Sequence, residues 1–268
     1  SRTEPFLLDE NSAVGTLVGT VFAVDLNYQK QSLEYAVGPR GANVNRPFPF
    51  KMVTREATEQ DRMALAQSDA GASVQLRQVG EILVDGPIDF EGEFSTYQMV
   101  VVATDSDSNL PLTGSMDVTV GVVNLNEPPT FVDGAVGGSA MFVVTVPENS
   151  VLGTALAGDK LVATDVDSAD QGSVLRYSLE GEQAAVDLFQ VDPISGAMVF
   201  KGSPTALNFE NAAARAFELT AVVTDSASNA VRRPVQVRVL DVNEPPRFVG
   251  TSAFFFNVLE GSKFGTLV

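Results

Sequence analysis

Apolar residues recur at every second position in several stretches of the chain. Phe217, Leu219, Ala221 and Val223 alternate with outward-directed positions, and Tyr97, Met99, Val101 and Ala103 repeat the pattern earlier. A period of two rather than 3.6 predicts strands with one face on a core. Val118, Val120 and Val122 mark one such strand and Val235, Val237 and Val239 another, each running into a Pro-Pro pair, Pro128-Pro129 or Pro245-Pro246. Short apolar runs at 141–146, 161–163, 175–179, 189–191 and 198–200 are separated by Gly, Pro, Asp and Ser turns. They bring the second half of the chain to about seven strands, as in antiparallel sandwiches. One stretch predicts a helix, 55–67, where helix formers cluster between Thr54 and Ser68.

These segments belong to a repeated unit. Thr104-Asp105-Ser106 returns as Thr224-Asp225-Ser226, a spacing of 120 residues, and Asn126-Glu127-Pro128-Pro129 returns as Asn243-Glu244-Pro245-Pro246, a spacing of 117. Glu10 in Asp9-Glu10-Asn11 and Glu148 in Pro147-Glu148-Asn149 lie 138 apart, so the first copy holds an insertion, placed at about 38–78. Leu259-Glu260-Gly261 begins a third copy, and Phe254-Phe255-Phe256 ahead of it reads as that copy's first strand. The expected division is one repeat over 1–126, a second over 127–243, and a linker with the start of a third over 244–268, the array being longer than this sequence. The expected fold is all-β: tandem seven-stranded Greek-key β-sandwiches joined by short linkers.

Charge narrows the function. Asp and Glu number 34 against 17 Lys and Arg, a net charge of −17 that disfavours nucleic acid and anionic membrane surfaces and favours cations. With no Cys and no His, zinc fingers, thiol nucleophiles and histidine triads are excluded. No apolar run is long enough to span a bilayer and the first residues do not form a signal peptide, so any anchor or secretion signal is expected outside this sequence.

The acids sit in turns and linkers near repeat ends: Glu10, Asp89 with Glu91, Glu127, Asp165 with Asp167, and Asp225. Oxygen ligands on flexible loops suit calcium, which takes six to eight of them, better than magnesium. A lone Asp-X-Asp is more often a solvated turn; the recurrence of these acids with the repeat is what favours a metal.

Pro147-Glu148-Asn149, Ala163-Thr164-Asp165-Val166-Asp167-Ser168, Leu207-Asn208-Phe209-Glu210, Thr224-Asp225-Ser226 and Asp241-Val242-Asn243-Glu244-Pro245-Pro246 resemble, in order and spacing, the motif set of a cadherin repeat. The resemblance covers the second copy fully, the first with its insertion, and the opening of a third. It implies three calcium ions between successive repeats. Glu10, Asp89, Glu91, Asn124, Asn126 and Glu127 would serve the first linker from above, with carbonyls of Leu125 and Pro128; Asp165, Asp167, Asp225 and a carbonyl near Gln171 would serve it from below. Without metal, close carboxylate pairs repel by about 1 kcal/mol in water and about 4 kcal/mol at an effective dielectric near 20, so the linker should loosen. The second linker offers Glu148, Asn208, Glu210, Asp241, Asn243 and Glu244, and partial occupancy is expected because its lower half lies past Val268. Asn124 and Asn208 stand where the family usually has Asp. Asp25 and Asp105, with Asn27, resemble the lower half of a site shared with a preceding repeat.

The resemblance implies a calcium-dependent structural and adhesion module of a large extracellular protein, with neighbouring repeats and other cell-surface proteins as partners. The chain has no Trp, so adhesion by docking a swapped tryptophan cannot run through these repeats. Two other readings stay open: a partner-binding sandwich that uses the insertion, and a passive stalk. A carboxylate-pair hydrolase needs two acids flanking one cleft, whereas these acids recur in step with the repeat, and no enzyme is expected.

Overall fold

The computed structural model describes residues 4–25, 32–40, 47–67, 76–92, 94–106, 110–132, 141–167, 174–248, 256–265 and 267. The chain forms two compact units: Ser1–Glu127 with Val166–Gly172, and Pro128–Asp165 with Ser173–Val268.

In unit 1 the alternating segments become β1 (Phe6–Asp9), β2 (Leu17–Phe22), β3 (Leu33–Pro39), β4 (Phe50–Glu56), β5 (Gln78–Val84), β6 (Thr96–Asp105) and β7 (Thr113–Val123). One sheet has the order β1-β7-β6-β3 and the other β2-β5-β4. β1 runs parallel to β7, and the other pairs are antiparallel. Inward positions of both sheets form one core, with Met99 and Val120 facing Ile82 and Val84, all fully buried. Burying each such side chain stabilises the fold by roughly 1.5–3 kcal/mol.

Unit 2 contains β8 (Thr130–Phe131), β9 (Phe142–Pro147), β10 (Ala163–Thr164), β11 (Arg176–Gly181), β12 (Phe189–Val191), β13 (Met198–Phe200), β14 (Ala216–Thr224) and β15 (Ala230–Leu240). Its larger sheet, β11-β14-β15-β9, repeats the order of the first, again with a parallel pair, β15 with β9. The other layer is more broken: a β12-β13 hairpin extended by a bridge from Val199 to Ala155, beside the short pair β8-β10. The 161–163 run is paired only from Ala163. Leu161 is buried, but its N–H bonds the carbonyl of Gly196 at 3.1 Å. A Cβ on Gly196 would stand 2.1 Å from the Leu161 oxygen, and its φ is +71°, so the close approach requires glycine.

Comparison of the hairpins locates the extra length of unit 1. Phe50 pairs with Val84 across β4-β5, and Phe189 pairs with Phe200 across β12-β13. The β12-β13 connection is the short turn 192–197, whereas 57–77 joins β4 to β5 and carries the helix α1 (Glu59–Ala66). The helix starts later than residue 55 because Arg55 and Glu56 complete β4. Thr58 then caps it: the threonine side chain accepts from Asp61 N–H, and the Asp61 carboxylate accepts from Thr58 N–H. Arg55 binds both Asp61 and Glu81 at 2.6 Å, tying the helix to the hairpin and holding the Asp61 carboxyl far below its usual range. Phe22 and Leu65 pack on a small cluster of Ala57, Leu76 and Val79.

Of the aromatic run expected to open the third copy, Phe254 and Phe255 lie outside the described residues, and Phe256 is exposed and outside any strand. No helix among the described residues is long and apolar enough to cross a membrane.

Candidate metal centre

A glutamate at the end of the first strand anchors a carboxylate cage in each unit. Glu10 is 2% exposed, and its N–H bonds the Val123 carbonyl at 3.1 Å, continuing the β1-β7 ladder. Its Oε2 accepts from Phe90 N–H at 2.9 Å and its Oε1 from Leu125 N–H at 2.6 Å. One side chain thereby fixes the turn before β6 and the exit from β7. Oxygens of Glu10, Asp89 and Glu91 then lie within 4.8 Å of one another. The Asn124 amide donates to Glu91 Oε1 at 2.6 Å, and Asp89 Oδ1 accepts from Gly92 N–H at 3.1 Å.

A second group in unit 1 joins Glu91, Glu127 and Asp167 within the same distance. Asp167, 1% exposed, accepts from the Glu127 N–H at 2.7 Å. The buried Oε2 of Glu127 has no hydrogen-bond partner among the described residues, while Oε1 accepts from the Asn11 amide at 2.6 Å. Burial first, and then the negative charges of Glu10 and Asp167, push the Glu127 carboxyl up; Glu91 is raised by burial and then by Glu10, Glu127 and Asp167.

Unit 2 repeats the anchor. Glu148 is 2% exposed, accepts from Phe209 N–H at 2.8 Å and Val242 N–H at 2.9 Å, and forms the third group with Glu210 and Asp241. Those backbone donors, Val242 first, hold its carboxyl below the ordinary glutamate range. Asn208 Oδ1 accepts from Asn211 N–H at 3.1 Å, and Glu244 accepts from the Asn149 amide at 2.6 Å.

Asp165 and Asp225 are buried in unit 2 and belong to no group of three carboxylates among the described residues; Asp225 accepts from the backbone and side-chain nitrogens of Asn229 at 2.8 and 3.0 Å. Asn126 donates to the Glu127 carbonyl at 3.0 Å, and Asn243 is exposed. Asp25 and Asp105 are half-buried, with Asp105 Oδ1 accepting from Leu112 N–H at 3.2 Å. Gln171 and Asn27 lie outside the described residues.

Asn11 and Asn149 escaped the reading of the sequence. Both adopt left-handed backbone, φ 57° and 55°, which asparagine tolerates better than most residues, and both donate to the linker glutamate of their own unit. The repeated Glu-Asn-Ser triplet at 10–12 and 148–150 is the trace they leave in the sequence.

No family model matches the chain. It is similar to human protocadherin-1, 32% identical over 200 residues that cover 69% of this chain and 17% of that protein. It is also similar to human cadherin-related family member 2, 32% identical over 193 residues, covering 71% of the chain and 13% of that protein. The chain thus spans a small part of the curated relatives it matches. Among solved structures, extracellular cadherin domains 1–4 of protocadherin gamma B7 superpose with a TM-score of 0.55 at 21% identity, covering 89% of this chain and 49% of that one. Mouse cadherin-23 EC22–24 gives 0.52 at 23% identity, covering 90% and 64%. At these identities the structural likeness speaks for the β-sandwich fold.

Proposed function

These are tandem extracellular repeats of the cadherin family, and we propose that they act as a calcium-stiffened structural and adhesion module, with ions held where one repeat meets the next. The carrying observation is the first cage. Glu10, Asp89, Glu91 and Glu127 form no ion pair with Lys or Arg among the described residues, yet Glu91 is close both to Glu10 and Asp89 and to Glu127 and Asp167, and Glu127 Oε2 is buried with no hydrogen-bond partner among those residues. Like charges this close need a cation or a proton, and an all-oxygen donor set fits calcium.

Glu10, Asp89, Glu91, Glu127 and Asp167 would bind directly, with Asn124 and Asn126 as neutral oxygens. Asp165, Asp225 and the carbonyl near Gln171 are assigned by motif. Glu148, Glu210, Asp241, Asn208, Asn243 and Glu244 would form the corresponding half-site at the far end of the second repeat, and Asp25 with Asp105 a lower half-site of the first. The repeats in this reading are 1–126 and 127–243, with 244–268 opening a third. When bound, the ion neutralises the cage and ties its loops together; the protein's own part is to hold the carboxylates in place through the buried anchor glutamates. Partners are neighbouring repeats and other cell-surface proteins, and the module is not a catalyst.

Calorimetric titration of chelator-stripped chain with calcium should show saturable binding in the micromolar to millimolar range, weakened by Asp167→Ala. Absence of heat, or an unchanged titration of the variant, would overturn the assignment.

A further inference from the structure

In unit 1 the residues entering β4 and the connection from β5 to β6 enclose a cavity of about 430 Å³. Phe48, Pro49, Phe94 and Tyr97 wall it, together with the exposed residues Asp85 and Asp89. The rings run on into the core through Phe50. Phe48 meets Phe50 at 5.6 Å and 67°, Phe50 meets Tyr97 at 5.2 Å and 80°, and Phe94 meets Tyr97 at 6.1 Å and 55°, so none of these pairs is stacked. Aromatic rings, whose faces carry partial negative charge, and two carboxylates therefore border one cavity.

The same place in unit 2 is built from other residues. Asp85 N–H bonds the Pro49 carbonyl at 2.7 Å and Lys201 N–H bonds the Leu188 carbonyl at 2.8 Å, so Lys201 stands for Asp85 and Leu188 for Pro49. The hairpin register then sets Asp187 in place of Phe48. Tyr97 pairs with Val120 and Phe217 with Val237, which sets Phe217 in place of Tyr97 and Ala214 in place of Phe94. Asn208 makes the turn that Asp89 makes. Unit 2 thus keeps one ring of three and neither carboxylate, and Val186, Leu188 and Ala206 pack on its core there. It also carries a cation of its own, the Arg215 guanidinium lying 4.7 Å from the Phe209 ring centroid. Phe90 is the counterpart of Phe209, each donating its N–H to the anchor glutamate, but Ser95 takes the place of Arg215 at the spacing that relates Tyr97 to Phe217.

We infer that the cavity of unit 1 takes an arginine side chain from a partner protein. Aromatic faces attract a cation, and a guanidinium is planar, weakly hydrated and able to fork onto a carboxylate. The net charge of −17 favours a basic partner. Lys51 reaches Asp85 at 2.7 Å, but both side chains are more than two-fifths exposed, and a pair so exposed is displaced at little cost. Asp85 and the rings belong to none of the carboxylate groups described above, so the inference does not depend on calcium.

The whole chain, in chelator, is titrated with an acetylated and amidated Gly-Gly-Arg-Gly-Gly peptide and with the same peptide carrying citrulline, the uncharged isostere. With arginine, the Phe48 and Tyr97 ring signals should shift in NMR and saturate in the millimolar range; citrulline should bind at least about tenfold more weakly. Phe48→Leu, which keeps an apolar wall without a ring face, and Asp85→Asn should each weaken arginine binding by about threefold to fivefold. Equal affinity for the two peptides, or ring signals that arginine leaves unmoved, would overturn the proposal. So would binding that appears only in Arg46→Ala, since the chain's own arginine, next to Pro47 and outside the described residues, would then be the occupant.

Discussion

Glu10 in unit 1 and Glu148 in unit 2 are held by the same contacts, each accepting one backbone N–H from the turn before the penultimate long strand and one from the linker. The charges around them are arranged differently. Asp89 of unit 1 is answered by Asn208, and Asn124 by Asp241. Asn208 keeps the turn that Asp89 makes, its Oδ1 accepting from the N–H three residues on at the same 3.1 Å. Where Asn124 donates to Glu91, Asp241 instead adds a carboxylate to Glu148 and Glu210. The group that contains each anchor glutamate therefore holds three carboxylates and one amide. The turn needs an oxygen acceptor, charged or not, whereas a divalent cation responds to the number of carboxylates, so the charge can move within the cage.

The severest way to break this correspondence is to remove an anchor. Glu10→Ala leaves the Phe90 and Leu125 N–H groups without their acceptor and should destabilise unit 1 by about 2–4 kcal/mol in urea unfolding; Glu148→Ala should act in the same direction on unit 2. An anchor lost without effect in only one unit would end the equivalence. Moving a charge is milder. Asp89→Asn should weaken calcium binding by about tenfold, on the order of 1.4 kcal/mol, and Asn124→Asp on that background should restore it. Failure of the rescue in calorimetry would mean that position, not carboxylate number, governs the cage.

The smallest effect concerns protons, and there the units should differ in sign. Glu91 and Glu127 are raised in the folded state, so in chelator their contribution to stability is fully present below the ordinary glutamate value and is lost as pH rises through the folded values. Glu148 is lowered, so its contribution is present above the ordinary value and is lost as pH falls through the folded one. Acidification should ease repulsion in the first cage and loosen the anchor of the second. Carboxyl carbon shifts followed by NMR should titrate above the ordinary range for Glu91 and Glu127 and below it for Glu148.

Much of this was legible in the chain. Alternation at Met99, Val101, Val118 and Val120 named inward positions because a strand facing one core repeats with period two. The helix was legible but its start was not, since Arg55 and Glu56 have helix-forming side chains and are claimed by β4 through pairing with β5. The acids were legible as a repeating set, while the role of Asn11 and Asn149 was not: the Glu-Asn-Ser triplet repeats, but an uncharged amide does not show in sequence which linker glutamate it will reach.

The third beginning separates what is local from what is not. Gly261, at φ 80°, stands where Asn11 and Asn149 adopt 57° and 55°, and Gly265 repeats the positive φ of Gly15 and Gly153. Ser262 donates to the Leu259 carbonyl at 2.7 Å, as Ser12 does to Asp9 and Ser150 to Pro147. That turn forms in all three copies because every bond in it spans three residues, and the sequence determines it alone. Glu260 is nevertheless exposed, while Glu10 and Glu148 are buried. Burial of a charged carboxylate requires donors to replace water, and those of Glu10 come from residues 80 and 115 positions away. Only a completed sandwich brings them together, so the anchor, and the cage built on it, belong to the tertiary structure.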